Sequence, residues 1–130
     1  MACLIDQTQR CLVAARVVRA ESAWRRTVGL LGRRRIDDDD GLWFDRCSAV
    51  HTVGMLAPID ILFLDECQRL VRIVEATPSG RIYVGYRRAF TVVELAAGAA
   101  RRSALALGDL LTLDDTVAIG DEAERRTACG

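Results

Sequence analysis

The sequence predicts an α+β domain dominated by antiparallel sheet, curled into a small barrel-like form, with one short helix after the first strand. Short aliphatic and β-branched runs recur at close intervals, each bounded by turn residues. One early stretch alone places apolar residues at helical spacing. The second half has too little helix to alternate with strands, which argues against a doubly wound sheet, and curling would leave few edges open. A chain of 130 residues reads as a single domain, able to bury about two thirds of its unfolded surface without a metal or disulfide. The ordered core is expected over residues 10–114, with mobile termini.

Cys11 to Arg19 is rich in valine and alanine and reads as the first strand. The helix follows: Ser22 suits an N-cap, Trp24, Val28 and Leu31 share one face, and Gly32 suits a left-handed C-terminal residue. Its neighbours Arg25 and Arg26 point about 100 degrees apart, so one can look inward while the other is solvated. Arg33 to Asp40 joins a basic block to four consecutive aspartates and reads as a solvated loop; a calcium loop would alternate its carboxylates around a glycine. Leu42 to Asp45 is a short strand.

Cys47 to Asp65 organises the rest. It holds the one histidine, His51, and sets Asp60 in front of the apolar run Ile61 to Leu64. With the turn Asp65 to Gln68 and the run Leu70 to Val74, it reads as an antiparallel hairpin. Thr77-Pro78-Ser79-Gly80 is a turn, Arg81 to Arg88 an exposed segment, and Phe90 to Leu95 a strand containing Glu94. Ala96 to Leu105 allows a short helical turn around Gly98. Leu107-Gly108-Asp109 then feeds a last strand, Leu110 to Leu113.

Eighteen basic and eighteen acidic residues cancel, leaving no global field to draw the chain to nucleic acid, and every basic residue is arginine. Arg81, Arg87 and Arg88 interleave with Tyr83 and Tyr86, but so small a cluster in a neutral chain reads as an edge, not a base-stacking platform. The five cysteines show no Cys-x-x-Cys pair, so neither a zinc knuckle nor a dithiol redox motif is expected. No metal or cofactor is implied. Without a signal-peptide pattern or an apolar run long enough to span a bilayer, no membrane insertion is expected and the cytoplasm is the default compartment.

On a strand from Ile59 to Leu64, Asp60 shares a face with Leu62 and Leu64, while Ile59, Ile61 and Phe63 line the other. Both faces are apolar. An enclosed carboxylate there needs an answer to its charge. Arg26 is the natural counter-charge, and His51, Thr52 and Glu94 complete a candidate polar, ligand-binding cluster. The bland reading of the same residues is architecture that fixes register. Cys47, His51 and Asp60 form a weaker constellation of thiol, base and orienting acid, without a recognisable oxyanion loop or a fourth ligand for a metal.

Certain residues carry a family resemblance: Arg26-x-x-Gly29-Leu30-Leu31-x-Arg33; Gly41-Leu42-x-Phe44; His51-Thr52-x-Gly54-Met55-x-x-Pro58-Ile59-Asp60-x-x-Phe63-x-Asp65; Val93-Glu94-Leu95-x-Ala97-Gly98; and Gly108-Asp109. In order and spacing, across Val17 to Leu113, this resembles domain of unknown function family 192. Many members have a Phe-Trp-Met-Lys-Asn-Thr stretch where this chain has Val50 to Met55, so roles of that lysine and asparagine do not carry over. The match is closer to a Val-His-Thr branch, some of whose members are encoded near pilus-assembly and secretion genes. The resemblance implies a small β-rich domain and no established reaction. Two readings follow: a non-enzymatic binding or accessory module for a small polar ligand or a protein partner, or a small hydrolase using His51, Asp60 and Cys47.

Overall fold

The computed structural model describes residues 2–20 and 34–115. The described residues form nine strands and one short helix: β1 (Ala2–Asp6), β2 (Cys11–Ala20), β3 (Asp40–Asp45), β4 (Ala49–Val50), β5 (Ile59–Leu64), β6 (Leu70–Thr77), β7 (Val84–Gly85), β8 (Thr91–Ala96), α1 (Ala99–Arg102) and β9 (Leu111–Asp114). Seven of the strands form one sheet in the order β6-β5-β8-β3-β2-β1-β9, antiparallel except for the β2/β3 pair. A parallel pair cannot be joined by a tight turn. Residues 21–39 make that connection, and the helix expected at Ser22 to Gly32 falls within it, outside the described residues. The described helix is α1, at the alanine-rich turn read near Gly98.

The sheet begins earlier than expected. Cys11 to Arg19 is the second strand, and Ala2–Asp6 precedes it as β1, buried along its length between β2 and β9. Cys3 therefore lies in the core and not on a loose terminus. Four apolar residues, Ala2 to Ile5, are too short a run to show a period and gave no signal in isolation; partners at both edges make Ala2–Asp6 a strand.

The expected barrel does not close. The edge strands β6 and β9 approach at one corner, where Arg69 and Leu110 form an isolated bridge, Leu70 N–H donates to Asp109 O at 2.8 Å and Leu111 N–H to Gln68 O at 3.0 Å. Pairing stops there because both chains turn. The β5–β6 turn ends at Gln68, with φ 62, and the turn before β9 passes through Gly108, with φ 96.

Strand alternation sorts the core. Leu62, Leu64, Val93, Leu95, Trp43, Val17 and Leu4 pack on one face with Ala99 and Ala100 of α1; Ile59, Ile61, Phe63, Phe44, Val92 and Ala96 pack on the other. All six residues of β5 are buried, and a fully buried Leu, Ile or Phe contributes roughly 1.5–3 kcal/mol. Gly41 lets β2 and β8 close on β3: a Cβ there would lie 2.8 Å from Leu95 Cδ2 and 3.0 Å from Glu94 O.

The second face is roofed by chain that is mostly irregular. Asp45 pairs with Thr91 at one end of the sheet and Ile59 with Thr77 at the other, so residues 46–58 and 78–90 cross this face in opposite directions. They are joined edge to edge through the β4–β7 pair, Cys47 N–H to Phe90 O (2.9 Å), Tyr86 N–H to Ser48 O (2.9 Å) and Thr52 N–H to Arg81 O (2.8 Å). Cys47, Met55 and Ala57 point into the core beneath them, with Val50, Val84, Tyr86 and Ala89 half-buried beside them.

Candidate functional site

Asp60 is fully buried, and its charge is answered by backbone. Oδ1 accepts the Ala76 N–H at 2.8 Å, and Oδ2 accepts the Gly98 and Ala100 N–H groups at 3.1 and 3.0 Å. Ala76 is left-handed, φ 49, where the β5/β6 register slips between Ile59 and Ile61, so its N–H turns out of the ladder toward the carboxylate. Gly98, φ 92, is the N-cap of α1 and has no side chain with which to cap it. Asp60 supplies that acceptor from a neighbouring strand, the job an N-cap Asp or Ser does within its own helix. One side chain thus pins a bulge and a helix start.

The other predicted site residues do not meet Asp60. Leu95 stands opposite Asp60 and Glu94 opposite Ile61; directly opposed residues share a face, so Glu94 lies on the roofed side and Asp60 on the α1 side. His51 is exposed on the crossing layer. Thr52 is fully buried within that layer, donating to Pro78 O at 2.7 Å and accepting from Arg81 N–H at 2.9 Å. Its carbonyl also accepts the Met55 and Gly80 N–H groups, both at 3.1 Å. Thr52 is the clamp between the two crossing segments. Cys47 is buried, its thiol donating to Ala49 O at 3.1 Å; a thiol turned inward and an imidazole in solvent do not form a nucleophile and base. Arg26 lies outside the described residues.

Another carboxyl pair had no sequence signal beyond the Gly108-Asp109 turn. Asp6, fully buried in β1, is pushed up from 3.8 to about 6, first by burial and then by its hydrogen bond with Asp109, against the opposing Gln9 N–H. Burial also pushes Asp109 up, but hydrogen bonds from Asp6, Gln9 and the Ala106 N–H, with the charge of Arg69, leave it below its ordinary value. Gln9 Nε2 donates to Asp109 Oδ2 and to Ala104 O, both at 2.7 Å. With Asp6 fully buried and Asp109 nearly so, the pair ties β1 to the turn before β9 and holds one proton between its carboxyls as pH falls below about 6.

Among the described residues no three His, Cys, Asp or Glu side chains gather as a metal site, and no helix is long and apolar enough to cross a membrane. Two surface clefts, of about 250 and 300 Å³, are lined by Ala2, Val17, Val18, Arg19, Leu113 and Asp115 and by Ile73, Glu75, Ala100, Arg101, Ala104 and Leu105. Neither contains His51, Thr52, Asp60 or Glu94.

What stands out is the outside of the crossing layer. Val53, Leu56, Ile82 and Tyr83 are 48, 57, 84 and 71% exposed. Residues 46–58 and 78–90 hold no Asp, Glu, Asn or Gln, while Arg46, Arg81, Arg87 and Arg88 are all exposed there. The signal was legible as a gap in the acidic residues, though the topology is needed to put both segments in one layer.

The model of domain of unknown function family 192, described as uncharacterized ACR, matches residues 4–113. A crystal structure from Sinorhizobium meliloti 1021, described as "a putative transcription regulator", is 27% identical with a TM-score of 0.70, covering 86% of this chain and 91% of that one. A protein of unknown function from Novosphingobium aromaticivorans DSM 12444 is 19% identical, also with a TM-score of 0.70, over 85% of this chain and 82% of that one, a likeness of fold. No curated protein is significantly similar to the chain.

Proposed function

We propose, from the premise that this chain belongs to domain of unknown function family 192, that it is a non-enzymatic binding or accessory module of the cytoplasm whose contact surface is the crossing layer. The observation that carries this reading is the exposure of Val53, Leu56, Ile82 and Tyr83 in a layer free of acidic residues. Clustered exposed apolar side chains rimmed by polar groups mark interaction surfaces. Thr52 fixes the layer's shape in advance, which lowers the ordering cost of binding. A macromolecular surface suits the layer better than a small polar ligand, since Asp60 and Glu94 face opposite sides of the sheet. His51 belongs to the surface, Thr52 positions it, and Asp60 is architecture. An accessory role in an envelope or pilus-related system rests on the family resemblance alone.

A photo-crosslinking residue at position 82, compared in cells with one at Leu107, also exposed, on the far turn, tests this. A partner trapped from position 82 and not from 107 supports the reading; equal trapping, or none from 82, removes it. A second reading, contact with nucleic acid, is favoured by the four arginines and by the words attached to the Sinorhizobium protein. It predicts salt-sensitive retention of labelled duplex DNA.

A further inference from the structure

We propose that the surface met by the crossing layer is an anionic phospholipid interface, to which the layer adsorbs flat and peripherally; the inference rests on reading that layer as the contact surface. Charge is the first argument. Four of the chain's eighteen basic residues and none of its eighteen acidic ones fall in residues 46–58 and 78–90. A chain of zero formal net charge thus presents one positive side and leaves the remainder acidic, which orients it at a negative surface.

The second argument is the kind of polar group. With no carboxylate or carboxamide in the layer, its charged side chains are donors only. A protein interface ordinarily pairs donors and acceptors from both sides. A headgroup surface offers phosphate oxygens, which only accept, and guanidinium groups match them with paired donors.

The third is the apolar set. Of the five large apolar side chains exposed on the layer, the aliphatic Val53, Leu56 and Ile82 offer no flat ring on which a base could stack and suit the boundary between headgroups and acyl chains. The two exposed rings, Tyr83 and the less exposed Phe90, are not neighbours in sequence, and Tyr83 is of the type that settles at headgroup depth. Val53, Leu56, Ile82 and Tyr83 lie near the Ile59/Thr77 end of the layer, with Arg81 and His51 among them, and Arg46, Arg87 and Arg88 lie toward the Asp45/Thr91 end. Laid flat, the layer places both groups on the bilayer together.

The test is co-sedimentation of the full chain with phosphatidylcholine vesicles and with vesicles of phosphatidylcholine and phosphatidylglycerol, at low and high salt. Binding is expected to the anionic vesicles only and to weaken with salt. Arg87→Ala with Arg88→Ala should weaken it by on the order of 25-fold, about fivefold for each arginine, and Ile82→Asp should abolish it. All three side chains are exposed, so unchanged melting temperatures verify that the variants fold. Failure of the wild-type chain to bind anionic vesicles at low salt overturns the lipid inference. If it fails there yet binds a single-stranded oligonucleotide, with loss in the same variants, the layer remains the contact surface and its partner is nucleic acid. If vesicle binding survives all the variants, the layer is not the surface, and both this inference and the reading beneath it fall.

Discussion

Asp60 and Glu94 sit on adjacent strands, one register step apart, and face opposite sides of the sheet. Asp60 is paired with Leu95 and Glu94 with Ile61. Two buried carboxylates that look like one polar cluster in the sequence are therefore separated by the sheet itself. Asp60 turns to three backbone N–H groups on the α1 side, and Glu94 joins the core beneath the crossing layer.

Thr52→Val keeps the shape of a fully buried side chain and removes its hydroxyl. Pro78 O loses its donor and Arg81 N–H its acceptor. The expected loss is about 1–3 kcal/mol in urea unfolding, with faster amide exchange confined to residues 78–84. Exchange spread evenly over the sheet would show that Thr52 is not the clamp.

The Asp6 and Asp109 pair gives stability a pH dependence of definite sign. The native Asp6 carboxyl, raised to about 6, keeps a proton that the unfolded chain sheds near pH 4. Its contribution is complete below about pH 4 and is lost as pH rises through about 6. Asp109 is lowered, so its contribution is present above about pH 4 and lost on further acidification. Wild type should therefore exceed Asp6→Asn in stability by about 2 kcal/mol more at pH 4.5 than at pH 7.5. Parallel pH profiles would remove the shared proton.

Gly41→Ala tests the close approach in the middle of the sheet. Its Cβ would meet Leu95 Cδ2, Val17 Cγ2 and the Glu94 carbonyl within 3.2 Å, and the carbonyl cannot rotate away. Overpacking of this kind costs about 1–3 kcal/mol, measured by thermal or urea unfolding. An unchanged midpoint would mean that the strands can part there without cost.

Much of the hairpin Ile59 to Thr77 was legible because apolar runs bounded by Asp65 to Gln68 and by Pro78 to Gly80 carry local signals. Asp65 itself accepts the Cys67 and Arg69 N–H groups, chemistry its position in a turn announces. The two apolar faces around Asp60 were also readable, since alternation along one strand is a local property. Its partners were not. Ala76, Gly98 and Ala100 contribute backbone groups, which every residue carries, and only a bulge and a distant helix start bring them together. Strand β1 was illegible for a similar reason, being specified by the neighbours it joins. The split between Asp60 and Glu94 depends on the β5/β8 register, which no single segment encodes.

The most direct test of the claim that the motif residue is architecture is the urea unfolding of Asp60→Ala beside His51→Ala. In the first variant three N–H groups around a fully buried carboxylate lose their acceptor, that of Ala100 itself buried, and nothing buried changes in the second. Asp60→Ala should lose about 3 kcal/mol or more, and His51→Ala should stay within about 0.5 kcal/mol of wild type. An Asp60→Ala protein as stable as wild type would contradict the account and return Asp60 to the candidates for binding or catalysis.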